Sequence, residues 1–191
     1  ATALNNTKPH YYSDCINHLP CVRFDGTDFS EGAYDTLLFD GTFLAGVDYT
    51  IFVVEQPRSA TPYYFLGTDF VNSTANAALQ FGYIFDSSAI RVSHGDLSSE
   101  FYMVAMTTYS GTPTAKLHTF VNGTIAFGGT IVNHYLNGSS TVSTKIASTG
   151  TQPSTLLFYQ GSATIGSTNN TYFYNGDIGE IIIYTRDRKS V

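Results

Sequence analysis

Two carboxylates near the C-terminus, Asp177 and Glu180, are of a type that suits glycoside hydrolysis. That chemistry needs a pair of carboxyl groups, about 5 Å apart for retention and further apart for inversion. The two lie in the run Gly176–Arg186, which opens on glycines and closes on charges. Ile181, Ile182, Ile183 and Tyr184 suit a buried strand. Side chains of a strand alternate between faces, so a spacing of three puts the carboxylates on opposite faces unless a bulge intervenes. A catalytic pair is therefore not expected. Asp177 reads instead as a helper of a turn at Asn175-Gly176. Glu180 reads as a group on the less buried face, or as the partner of a base such as Arg23 or Arg91.

Other constellations carry less chemistry. Asp25, Asp28, Asp35 and Asp40 fall close together, but Asp25 and Asp40 each precede a glycine and read as turn residues. The histidines, His10, His18, His94, His118 and His134, include no pair at a helical ligand spacing. No Gly-x-Ser-x-Gly elbow is present for a hydrolase triad. Cys15 and Cys21 lack the C-x-x-C spacing of a zinc site. Their separation leaves a disulfide and two free thiols both open. A bridge here would contribute roughly 2 kcal/mol through loop closure, and the extracellular cast of the composition favours it.

The tyrosines are better placed for recognition. Tyr11-Tyr12, Tyr63-Tyr64, Tyr109 and Tyr172 to Tyr174 lie near expected loops or strand ends. A tyrosine offers a flat face for a sugar ring and a hydroxyl for hydrogen bonding, although many also fill sandwich cores. Loops on a rigid frame are where such folds carry recognition. The expected ligand residues are Tyr63, Asp69, Asn72, His94, Asp96 and Tyr109.

Composition narrows the partners. The chain has 191 residues, 42% hydrophobic, 15% aromatic with no tryptophan, and 13% charged. The charged share is well below the roughly 25% of ordinary soluble domains. Ser, Thr, Asn, Gly and Tyr must therefore dress much of the surface, which suits life outside the cell. The net charge is −6 and no run of Lys and Arg occurs, so neither a nucleic acid nor an anionic membrane surface is an expected partner. No stretch is long and apolar enough to insert in a membrane, and the first residues do not read as a signal peptide. Sequons at Asn5, Asn72, Asn122, Asn137 and Asn169 are glycan acceptors only in a eukaryotic secreted protein.

The elements that must position these residues read as short strands. Expected strands are Cys21–Phe24, Thr36–Phe39, Tyr49–Glu55, Tyr63–Gly67, Ala78–Phe85, Ile90–His94, Glu100–Tyr109, Ala115–Val121, Val132–Leu136, Thr155–Tyr159, Thr171–Tyr174 and Ile178–Thr185. Turn signals stand at Asp25-Gly26, Asp40-Gly41, Asn122-Gly123, Asn137-Gly138 and Asn175-Gly176. Ala147–Ser154 reads as a loop. No helix of ordinary length and no domain boundary emerges, so residues 1–191 form one all-β domain of sandwich or barrel type.

Three stretches carry a resemblance. Val22-Arg23-Phe24-Asp25-Gly26-Thr27-Asp28 resembles the opening of laminin G-like jelly rolls. Asp48-Tyr49-Thr50-Ile51-Phe52-Val53-Val54-Glu55, continued by Tyr63-Tyr64-Phe65-Leu66-Gly67, is similar to their core strands, and Gly176–Arg186 to their closing strand. His134-Tyr135-Leu136-Asn137-Gly138 is a weaker match to a hairpin of the family. In this order they span residues 22–186 and resemble the concanavalin A-like superfamily. The resemblance implies a two-sheet antiparallel β-sandwich, a jelly roll, that binds cell-surface glycans or surface proteins. Relatives of this kind sit in bacterial surface proteins and trimeric fibre tips, so it also implies adhesion outside the cell and a homotrimer. Related domains often bind calcium through carboxylates and loop carbonyls, which makes Asp25 and Asp28 the candidate ligands. The expected function is a non-catalytic glycan-binding module. The alternatives are an assembly domain without a sugar site and, less favoured, a glycoside hydrolase.

Overall fold

The computed structural model describes residues 8–28, 33–44, 47–59, 62–68, 78–83, 90–95, 102–105, 114–124, 130–140, 144–147, 162–168 and 172–186. The strands in chain order are β1 (His10–Ile16), β2 (Leu19–Asp25), β3 (Thr27–Asp28), β4 (Ala33–Tyr34), β5 (Leu37–Asp40), β6 (Asp48–Pro57), β7 (Tyr64–Thr68), β8 (Ala78–Tyr83) and β9 (Ile90–Gly95). They continue with β10 (Tyr102–Ala105), β11 (Lys116–Thr124), β12 (Thr130–Leu136), β13 (Ser139–Ser140), β14 (Thr144–Ala147), β15 (Ser162–Ile165), β16 (Ser167–Thr168), β17 (Tyr172–Phe173) and β18 (Asn175–Arg186).

Two antiparallel sheets form the sandwich. The larger runs β1-β2-β18-β6-β11-β12-β13 and the smaller β5-β15-β7-β8-β9. Strand β6 shows why the sheets pack. Its residues alternate strictly, with Tyr49, Ile51, Val53, Glu55 and Pro57 buried and those between them partly exposed. Period-two alternation sends one set of side chains inward. Phe24, Ile51, Val53, Phe65, Phe81, Phe120 and Tyr174 meet between the sheets as one cluster. Phe81 and Phe120 stack across it with ring centroids 4.4 Å apart. The fold is thus the all-β sandwich that the strand pattern implied, in the two-sheet jelly-roll form that the resemblance implied.

Several local expectations are corrected. Asn122-Gly123 lies inside β11, paired with Val132 and Ile131, and makes no turn there. Asn175-Gly176 opens β18 instead of preceding it: Gly176 pairs with Phe24 and Pro57. A side chain on Gly176 would run into the Tyr174 ring, so that glycine serves close packing rather than a turn. Asn137 and Gly138 do form the tight β12–β13 connection, with φ of 51° and 80°. The expected strand Thr155–Tyr159 lies outside the described residues, as does the expected loop beyond Ala147. Strand β1, with His10 to Asp14 all exposed, has no apolar alternation to reveal it.

The carboxylate pair needs the largest correction. Asp177 pairs with Gln56 and Glu180 with Val54, with a register shift between Ile178 and Glu180. Gln56 and Val54 both belong to the outward set of β6. A bulge at Gly179 therefore intervenes and places both carboxylates on the outer face of the larger sheet. Arg23 pairs with Asp177, not with Glu180.

Candidate functional site

Asp177 organises the polar centre of that outer face. Strands β2 and β18 set Arg23 directly opposite Asp177. The guanidinium donates from Nε to Oδ1 at 2.7 Å and from Nη2 to Oδ2 at 3.0 Å. This bidentate fork explains how a carboxylate only 3% exposed is tolerated. The same hydrogen bonds stabilise the charged guanidinium and raise the Arg23 pKa. On the other side, Arg58 Nη1 lies 3.7 Å from Asp177 Oδ2, with its side chain 45% exposed. Two guanidinium groups thus flank one carboxylate and leave a local charge of +1 at the surface.

Aromatic rings stand at both ends of this centre. Arg23 Cζ sits 4.1 Å from the centroid of the Tyr12 ring, which is 39% exposed. Tyr12 comes from β1, where His10 pairs with Arg23 and Tyr12 with Cys21. Cys15 and Cys21 are joined by a disulfide across that hairpin. Their sulfurs and a carboxylate oxygen of Asp177 lie within 4.8 Å of one another. Oxidised sulfurs offer no thiolate, so this trio does not form a metal site.

The second platform stands where β6 leaves the sheet. The Arg58 amide donates to the Asn175 carbonyl at 3.0 Å, and the Asn175 amide to the Pro62 carbonyl at 2.9 Å. The next residue, Tyr63, is half-buried and its ring lies 5.9 Å from that of Tyr172. Tyr63 has φ of 61°, uncommon for a bulky side chain. Backbone strain of this kind gathers at functional sites. Its carbonyl accepts from the Tyr83 amide at 2.9 Å. A Cβ on Gly82 would stand 2.7 Å from that carbonyl, so the glycine is what lets the strained segment approach β8. The result is a strip of Tyr12, Arg23, Asp177 and Arg58 on the outer face, joined through the Arg58–Asn175–Pro62 backbone hydrogen bonds to the Tyr63–Tyr172 pair.

A second polar cluster lies wholly inside. Glu55 occupies an inward position of β6 and is 0% exposed. Tyr83 donates to its Oε1 at 2.6 Å, and Tyr174 donates to its Oε2. His118 Nε2 lies 2.8 Å from Oε1 and must carry the proton, since a carboxylate only accepts. His118 Nδ1 then faces His134 Nε2 at 3.0 Å. Burial first, and the neighbouring His118 second, push the His134 pKa down to about 3. Burial likewise lowers the Lys116 pKa and raises that of Tyr174. This network satisfies polar groups that no ligand can reach, so it is part of the frame.

Of the ligand residues expected from sequence, Tyr63 joins the strip. His94 lies on β9 opposite Leu79, and its side chain is outside the described residues. Asp69, Asn72, Asp96 and Tyr109 also lie outside them. Asp25 is exposed, and its amide donates to Asp35 Oδ2 at 2.9 Å. Asp28 pairs with Ala33, and its side chain is not described. Sequence reasoning noted Tyr12 and Tyr172 as aromatics without choosing them, and passed over Arg58. A base just after the long strand β6, in Gln56-Pro57-Arg58-Ser59, was the available signal for Arg58. A charged residue at an inward position of an alternating strand was the signal for Glu55.

No family model matches the sequence, and no curated protein matches it. Solved structures do. The carbohydrate-binding module CBM40 of the Ruminococcus gnavus IT-sialidase aligns over 98% of this chain and 95% of its own, at 11% identity and a TM-score of 0.54. That module is also known bound to α2,3-sialyllactose. A heptameric SAP-like pentraxin from Limulus polyphemus aligns over 84% of this chain and 73% of its own, at 15% identity and a TM-score of 0.54. A leech intramolecular trans-sialidase aligns over 87% of this chain but only 25% of its own, at 14% identity and a TM-score of 0.52. At such identities the likeness is one of fold: this chain shares the jelly-roll sandwich of those proteins.

Proposed function

We propose that this chain is a non-catalytic carbohydrate-recognition module that works in adhesion outside the cell. The observation that carries the reading is the strip on the outer face, where tyrosine platforms flank a guanidinium–carboxylate centre. Sugars are held by ring stacking and by planar hydrogen-bonding groups, and the strip offers both. The fold shared with a carbohydrate-binding module supports the same reading. Hydrolysis is disfavoured because Arg23 occupies both oxygens of Asp177. That leaves Glu180 without an accessible partner carboxylate on its strand. One solvent-facing site of this kind binds weakly, so tight attachment would come from several linked copies.

The test is an array of neutral and acidic glycans probed with the purified domain, repeated with Arg58→Ala and Tyr63→Ala. Binding that both substitutions weaken at least roughly tenfold supports the reading. No binding to any glycan counts against it. An assembly role is the second reading, favoured by exposed Leu37, Leu38 and Phe43 on and beside the edge strand β5. A stable trimer that loses its association on Leu38→Glu and binds no glycan would support that alternative. Hydrolysis of an oligosaccharide, lost in Glu180→Ala, would overturn the non-catalytic reading.

A further inference from the structure

The position of Tyr12 depends on a hairpin that has almost no core to hold it. Strand β1 is an edge strand, and His10 through Asp14 are all exposed. Tyr11 is 69% exposed on the face opposite Tyr12. Only Ile16, beside the turn, is buried. Strand register is usually fixed by burying one face, and that force is missing from this half of β1.

The register it adopts is also irregular. Beside the turn Ile16 pairs with Leu19, yet Tyr12 pairs with Cys21. Four steps along β1 are thus matched by two along β2. A hairpin continuing evenly from its own turn would set Tyr12 opposite Arg23. Cys15 lies within the irregular stretch, and its disulfide partner Cys21 is the residue opposite Tyr12. The bridge pins the extra residues where the ladder shifts. The same sulfurs stand against the Asp177 carboxylate, which aims Arg23.

We propose that the Cys15–Cys21 disulfide is a positioning device for the ligand strip. It holds β1 in the shifted register that pairs Tyr12 with Cys21 and sets its ring diagonally over Arg23, and reducing it frees that flank while the sandwich stays folded. The ligand part of this inference rests on the carbohydrate reading; the register part does not. A site with this device binds in an oxidising compartment and weakens under reduction.

The experiment compares the oxidised protein with a phosphine-reduced sample and with a Cys15→Ser/Cys21→Ser variant by NMR. In the oxidised protein, cross-strand contacts join Tyr12 to Cys21 and the Tyr12 ring to Arg23. After reduction, and in the variant, the Tyr12–Cys21 contacts disappear. Amide protection in β1 falls by roughly tenfold or more, while that of Val53 and Phe120 is unchanged. Retention of the Tyr12–Cys21 register in both reduced forms overturns the proposal, as does loss of protection throughout β6 and β11. Glycan binding is measured on the same samples. A ligand bound equally by oxidised and reduced protein overturns the positioning role. An oxidised protein that binds no glycan contradicts the carbohydrate reading, and the NMR result then decides the lock by itself.

Discussion

Single residues here divide into those that hold the frame and those that face a ligand, and substitution should separate them. Glu55 accepts from Tyr83, Tyr174 and His118 inside the sandwich. Glu55→Leu strands three buried donors and should cost about 3 kcal/mol or more in urea unfolding. Glu55→Gln, which keeps an acceptor, should cost less. Arg23→Ala leaves the buried Asp177 carboxylate with only the half-exposed Arg58 at 3.7 Å and should cost about 3 kcal/mol. Arg58→Ala, at an exposed guanidinium, should change stability by under about 1 kcal/mol while weakening glycan binding. His134 supplies a pH dependence. It is held neutral in the fold first by burial and then by the neighbouring His118. The unfolded chain takes up its proton near pH 6.5, the folded one only near 3. Its contribution is therefore full above about pH 6.5 and is lost as the pH falls towards 3. His134→Phe should flatten that acid limb in unfolding measured across the pH range.

At the scale of elements, alternation was the part of the sequence that could be read directly. Strand β6 declared its inward set, and the core strands β7, β8, β11 and β18 followed from apolar runs between turn residues. What sequence could not disclose was any departure from period two. The bulge at Gly179 moves Glu180 to the face of Asp177, and only the pairing with Gln56 and Val54 reveals it. Strand β1 escaped notice because an exposed edge strand has no apolar alternation. The ligand strip was half legible for a related reason: tyrosines announce themselves, but Arg58 and Asp177 meet only because β6 and β18 lie side by side. Glycines give an element-level test. Gly82→Ala drives a Cβ into the backbone of β7 at Tyr63 and Tyr64 and should cost upwards of about 2 kcal/mol. Gly138→Ala meets nothing within 4 Å at φ of 80° and should cost only about 1 kcal/mol. Thermal unfolding of the two variants side by side checks the contrast.

The whole molecule is a two-sheet frame, and the strip proposed for recognition runs along the outer face of the larger sheet to the Tyr63–Tyr172 pair. The smaller sheet and the buried Glu55 network keep the strands that carry the strip in place. The proposed adhesion would work through repeated weak contacts. The most direct test is residue-level mapping of a glycan selected on the array, titrated into the isotope-labelled protein. The account predicts chemical-shift changes concentrated on Tyr12, Arg23, Arg58, Tyr63, Tyr172 and Asp177, with Leu37 to Asp40 unaffected. Saturable changes that cluster elsewhere on the sandwich and leave these six residues still would contradict it.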